Sequence, residues 1–202
     1  VVIGRYWDLS ETMNVIVVIA ASAGGLGPLR RIIELLPIPC PASIFIAMHI
    51  GAHPSVLPSL LSKAQGLPAA FAEDGELIEP GHIYVAPPDH HMILTSTYIR
   101  LNQGPKVHFT RPAADPLFNS AAEAYGMRVL GIVLSGHDGD GATGLRNIKK
   151  HGGLAVVQLP EEAEAPSMPA AALLADHPDL ALAAEEIAQC VRRFCLGKVP
   201  RP

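Results

Sequence analysis

A serine, a histidine and an aspartate, the three residue types that together can split an ester or amide, each follow an apolar run in this 202-residue chain. Ser22 follows VIVVIAA (15–21), His49 follows SIFIAM (43–48), and Asp138 and Asp140 lie in SGHDGDGATG after VLGIVL (129–134). A serine hydroxyl is unreactive at its own pKa. An imidazole must take its proton, and a carboxylate must fix the imidazole tautomer and stabilise the cation that forms. Gly24, Gly25 and Gly27 follow Ser22; glycines there let a substrate approach closely and leave backbone N–H groups free to face an anion. Amides from this turn and from the later glycine-rich loop could supply an oxyanion hole. The spacing admits either aspartate.

Residues placed this way need strands that end on one edge. VIVVIAA reads as a strand buried on both faces. Leu29, Ile32, Ile33 and Leu36 then recur at helical spacing, with Pro28 at the first helical position, and SIFIAM reads as a second buried strand. Strand, helix and strand in so short a stretch form a βαβ unit, whose strands are parallel and bring their C-terminal ends to the same edge. In the middle of the chain, Gly75, Pro80 and Gly81 punctuate short segments, HIYVA (82–86), HMIL (91–94) and YIRL (98–101), expected to form antiparallel hairpins added to the parallel sheet.

Asp115 as N-cap and Pro116 at the first helical position open a helix with the stripe Leu117, Phe118, Ala121, Ala122 and Tyr125, closed by Gly126. VLGIVL is the next buried strand; a helix over 142–151, a strand over 154–158 and a polar loop over 160–169 come after it. The last helix has Glu185 and Glu186 at its start and Arg192 and Arg193 near its end. The fold class expected is α/β: a mostly parallel, doubly wound sheet with helices on both faces and an antiparallel hairpin insertion. It forms a single domain over 13–197, with tails at 1–12 and 198–202.

A formal net charge of -4 with interspersed signs provides no basic stripe for nucleic acid or anionic lipid. No run approaches the roughly 18 apolar residues of a membrane span, and the start has no export pattern. Cys40, Cys190 and Cys195 have neither metal nor redox spacing, which fits a reducing cytoplasm. His49 and His53, and the cluster Asp89, His90 and His91, invite a metal, but there is no H-E-x-x-H, and the histidines are expected mostly at the surface or lining a cleft. DGDG (138–141) fails as a calcium loop because Lys149 stands where the bidentate glutamate belongs. GGLG does not complete a dinucleotide fingerprint. Neither a catalytic metal, a calcium ion nor a dinucleotide is therefore expected. Arg111 and Asp115, in RPAAD, either pair structurally or shape the cleft.

Several stretches resemble one family in order and spacing: VIAASAGG, EDGELIEPGHIYVAPPDHH, RPAADPLFNSAA, GIVLSGHDGDGATGLRNIKKHGG and SMPAAAL. They are similar to the catalytic domain of the CheB chemotaxis protein-glutamate methylesterases, and the resemblance covers nearly everything from Val15 to Phe194. It implies Ser22 as nucleophile, His49 as base and Asp140, rather than Asp138, as the third member. It also implies hydrolysis of glutamyl methyl esters on a methylated chemoreceptor or receptor-like protein, and deamidation of receptor glutamines, without metal or organic cofactor. Ala23, Gly24, Gly25 and His137 are the oxyanion candidates. The chain departs from the family in carrying His137 at a usual methionine position and Ala23 where a hydroxyl residue is common. Many relatives also carry a phospho-receiver domain, and the residues before Val15 read only as a short tail. The competing expectation is a non-catalytic binding module that keeps the fold.

Overall fold

The computed structural model describes residues 14–49, 55–176 and 178–198. The expected tail at 1–12 and most of that at 198–202 lie outside these residues, as does His53. Elements follow in the order β1 (Val15–Ala21), α1 (Leu26–Glu34), β2 (Ala42–Met48), α2 (Leu57–Gln65), β3 (Ala69–Phe71), β4 (Ile83–Val85), β5 (His91–Leu94) and β6 (Ile99–Asn102). After them come α3 (Ala114–Tyr125), β7 (Val129–Val133), α4 (Ala142–Lys150), β8 (Leu154–Gln158), α5 (Ser167–Asp176), β9 (Leu180–Leu182) and α6 (Ala184–Cys195).

Seven strands form one parallel sheet in the order β3-β4-β2-β1-β7-β8-β9, and β5 and β6 form a separate antiparallel hairpin. The expected α/β class, parallel sheet and hairpin insertion are all present. HIYVA is corrected: its core, β4, is a parallel strand between β2 and β3. Strands of three residues, such as β3, β4 and β9, are too short to carry a hydrophobic period, so β3 and β9 leave no signal in the sequence.

β1 is buried along its whole length because helices cover both faces of the sheet. Val15, Val17, Ile19 and Ala21 share one core with residues of α1, α2 and α6. Ile16, Val18 and Ala20 share the other with residues of α3, α4, α5 and the hairpin. The helix after β1 thus lies on one face and the helix after the adjacent β7 on the other. Neighbouring loops that diverge in this way open a crevice at the C-terminal edge of a parallel sheet, where ligands bind.

Two helix starts differ from expectation. Pro28 and Pro116 occupy the third, not the first, position of α1 and α3, and Pro169 does the same in α5, which begins inside the expected 160–169 loop. The first four helical N–H groups all lack an intrahelical acceptor, so proline is tolerated throughout the first turn and marks a helix start only to within a residue or two. Asp115 is accordingly no N-cap; Ala113 holds that place.

α3 and α4 cross closely at Gly144. A Cβ there would collide with Phe118 Cβ and lie 3.2 Å from Asp115 Oδ1. Because the obstacle is the root of a buried ring, Gly144→Ala is expected to destabilise the fold by about 1–3 kcal/mol, read as a fall of several degrees in Tm.

Candidate active site

Ser22 and His49 stand side by side because β1 and β2 are in register up to Ala21 and Met48, and the His49 N–H still donates to Ala21 O (3.2 Å) one step beyond. Side chains alternate along a strand, so Ser22 continues the face of Ile16, Val18 and Ala20, and His49 that of Phe45 and Ala47. That is the face covered by α3, α4 and α5. On the other side of β1, Ser22 N–H donates to Ser135 O (2.9 Å), which joins the end of β1 to the loop after β7.

That loop delivers Asp140. Its carboxylate is fully buried and lies 2.8 Å from His49 Nε2. It also accepts the backbone N–H groups of Ala114 and of Asp115 (3.1 Å) at the start of α3. The side chain that faces the histidine therefore also caps a helix from outside, and the positive end of α3 favours its charge. Asp138, by contrast, is exposed with a positive φ of 68°. Thr110 Oγ1 donates to Val107 O (3.0 Å) and presents a lone pair to His49 Nε2 at 3.3 Å. This network assigns the proton to Nε2, leaving Nδ1 as the basic nitrogen. Among the described residues no protein group hydrogen-bonds to Ser22 Oγ, so the structure joins His49 to Asp140 but does not close a bond from His49 to Ser22.

The Ser22 turn is held from below by Ser135, a fully buried residue. Its hydroxyl donates to Ala23 O (2.7 Å) and accepts from Ala165 N–H (2.9 Å), while its backbone N–H donates to Gln158 Oε1 (2.9 Å). Gly24 has a φ of 72°, and a Cβ there would fall 2.5 Å from Glu164 Cβ. A Cβ on Gly136 would strike Met168 and come within 2.7 Å of Ser22 Cβ. Of the oxyanion candidates, Gly25 donates its N–H to Ser22 O (3.0 Å) and is thereby occupied. The N–H groups of Ala23, Gly24 and His137 have no protein acceptor among the described residues.

A second histidine–carboxylate pair adjoins the first. His108 Nε2 lies 3.1 Å from Asp115 Oδ2, and Asp115 Oδ1 accepts the Gly144 N–H (2.7 Å). Burial pushes the Asp115 carboxyl above its ordinary range, against the lowering effect of the Gly144 N–H, and the charge of Asp140 adds to the upward push. His108, Asp115 and Asp140 bring one ligand atom each within 4.8 Å. All four carboxylate oxygens accept hydrogen bonds from backbone N–H groups or face an imidazole, so the protein itself supplies partners to both charges.

Arg111 pairs with Asp89, through Nε (2.9 Å) and Nη2 (2.7 Å), and not with Asp115; its Nη1 donates to the carbonyls of Gln103 and Gly104. It ties the hairpin to the segment that leads into α3. His91 is buried, an exception to the expectation that most histidines lie at the surface or line a cleft. It accepts the Ala113 N–H at Nδ1 (3.3 Å) and donates from Nε2 to Pro105 O (3.0 Å). With Asp89 on Arg111 and His90 Nδ1 on Pro88 O, the Asp89, His90 and His91 cluster is divided among separate partners. Sequence reasoning passed over Thr110, Ser135 and Gln158. Ser135 alone lay in a quoted motif, since polar residues that serve backbone groups carry no spacing signature.

With this geometry in view, comparison with known proteins places the domain. It is an α/β domain with a polar site at the C-terminal ends of parallel strands, and residues 17–191 match the model of the CheB methylesterase family. The chain belongs to that family. It is 39% identical over 180 residues to a Leptospira interrogans protein with the provisional name protein-glutamate methylesterase/protein-glutamine glutaminase, covering 88% of this chain and 93% of the relative. A protein-glutamate methylesterase/protein-glutamine glutaminase of Pyrococcus horikoshii is 36% identical over 189 residues, 90% of this chain and 51% of that relative, so the chain spans about half its length. The crystal structure of the Thermotoga maritima CheB methylesterase catalytic domain matches with a TM-score of 0.84 at 31% identity, over 90% of this chain and 99% of that one. No helix among the described residues is long and apolar enough to cross a membrane.

If Asp140 served only to orient His49, removing it would leave stability unchanged. Because it also satisfies two buried N–H groups of α3, Asp140→Ala is expected to cost about 2 kcal/mol or more in chemical denaturation.

Proposed function

We propose that this protein is a cytoplasmic serine hydrolase that removes methyl esters from glutamate side chains of a methylated chemoreceptor or receptor-like protein, with deamidation of glutamine as the matching amide reaction. The observation that carries the reading is the half-buried His49 held 2.8 Å from the fully buried Asp140, beside Ser22 at the edge of the sheet in a chain of the methylesterase family. The names of the relatives supply the substrate chemistry.

Ser22 Oγ attacks the ester carbonyl carbon while His49 Nδ1 takes its proton, and Asp140, bonded to Nε2, stabilises the imidazolium that forms. The oxyanion is met by backbone N–H groups, for which Ala23, Gly24 and His137 remain available. Return of the proton to the leaving oxygen releases methanol and leaves a glutamyl ester on Ser22. His49 then activates water, which attacks that ester and frees the glutamate carboxylate and Ser22. Ala23 contributes a backbone amide to this scheme, which needs no side-chain hydroxyl, and His137 can act the same way. A cytoplasmic setting agrees with Cys40, Cys190 and Cys195 all being free thiols.

Ser22→Ala is expected to lower methanol release from methylated receptor at least about 10³-fold. Adding His49→Ala to it is expected to cost little more, since residues acting as one unit are non-additive. Equal rates for wild type and Ser22→Ala would contradict the reading.

A further inference from the structure

The segment that contacts His49 ends in an unusual turn. Val107 and Thr110 exchange backbone hydrogen bonds (3.2 and 2.9 Å), closing a two-residue hairpin loop whose central residues, His108 and Phe109, have φ of 48° and 62°. Such turns favour Asn-Gly because both central residues must adopt positive φ, and a bulky aromatic there is strained. The strain brings no packing in return, since Phe109 is 92% exposed, the most exposed of the large apolar side chains among the described residues. Its neighbours are fastened: His108 to Asp115, and Thr110 to Val107 O and to His49 Nε2. The ring is therefore presented on a fixed base one residue from a group that touches the candidate base. Strained backbone of this kind persists where the surrounding structure holds it, and it clusters at functional sites.

We propose that Phe109 is a docking residue for the polypeptide that carries the esterified glutamate, packing against apolar side chains that flank the modified position. This rests on the methylesterase reading above. A glutamyl side chain holds its ester carbonyl only about 4 Å from its own Cα, so a protein substrate reaching Ser22 must bring its backbone and neighbouring residues against the rim. An exposed phenylalanine offers about 150–250 Å² of surface to bury there. A short ester lacks the flanking residues that would pack on Phe109.

The experiment compares wild type, Phe109→Gly and Phe109→Tyr on two substrates: a methyl-labelled receptor cytoplasmic fragment, and N-acetylglutamate γ-methyl ester amide. For Phe109→Gly, KM for the receptor fragment is expected to rise about tenfold with kcat little changed, while kcat/KM for the short ester stays at the wild-type value. Glycine suits the turn, so this variant melts no lower than wild type. Phe109→Tyr keeps the ring and the wild-type KM. An unchanged KM for the receptor fragment in Phe109→Gly, or an equal loss on both substrates, overturns the inference while leaving the esterase reading intact. A wild-type enzyme that releases methanol from neither substrate overturns both.

Discussion

A single buried carboxylate ties together the C-terminal edge of this domain's sheet. Asp140 has no exposure to solvent, and a polar group buried in that way needs hydrogen-bond partners. Its partners are the two leading N–H groups of α3 and the imidazole of His49. Each comes from a different stretch of chain: the loop after β7 brings the charge, α3 brings the helix terminus and β2 brings the ring. The same contact therefore caps a helix, fixes a tautomer and sets where the C-terminal edge of the sheet meets the helical layer. Asp115, one residue into α3, repeats the device on a smaller scale, with Gly144 of α4 and His108 as its partners.

Around this anchor the Ser22 turn is built from close backbone approach. Gly136 runs against the Cβ of Ser22, and Gly24 lies against Glu164 and the hydroxyl of Ser135. Ser135 and Gln158, both buried, satisfy polar groups that the loops would otherwise bury unpaired. The site is thus fixed by polar residues that would have no contact with a substrate. The turn at 107–110 is fixed by the same network, yet it directs its largest side chain outward.

The sequence made the centre of the sheet legible and its margins obscure. β1, β2 and β7 are long apolar runs buried on both faces, and the rule that parallel strands end on one edge was enough to bring Ser22 and His49 together. Spacing could not separate Asp138 from Asp140: both are aspartates in one glycine-rich loop, and what distinguishes them is which one the left-handed backbone turns inward. β3, β4 and β9 are too short for a period, and Pro28 and Pro116 misplaced two helix starts because proline suits any of the first helical positions. The pairing of Arg111 with Asp89 was beyond local reading, since it depends on how the hairpin folds back onto the segment before α3.

The central claim is that Ser22, His49 and Asp140 act as one chemical unit. Labelling with a fluorophosphonate, followed by peptide mass spectrometry, tests it most directly because the reagent reports nucleophile activation without any protein substrate. The account predicts a single adduct on Ser22, absent in His49→Ala and strongly slowed in Asp140→Asn. An unlabelled Ser22 in the wild type, or labelling that proceeds unchanged in His49→Ala, would contradict it.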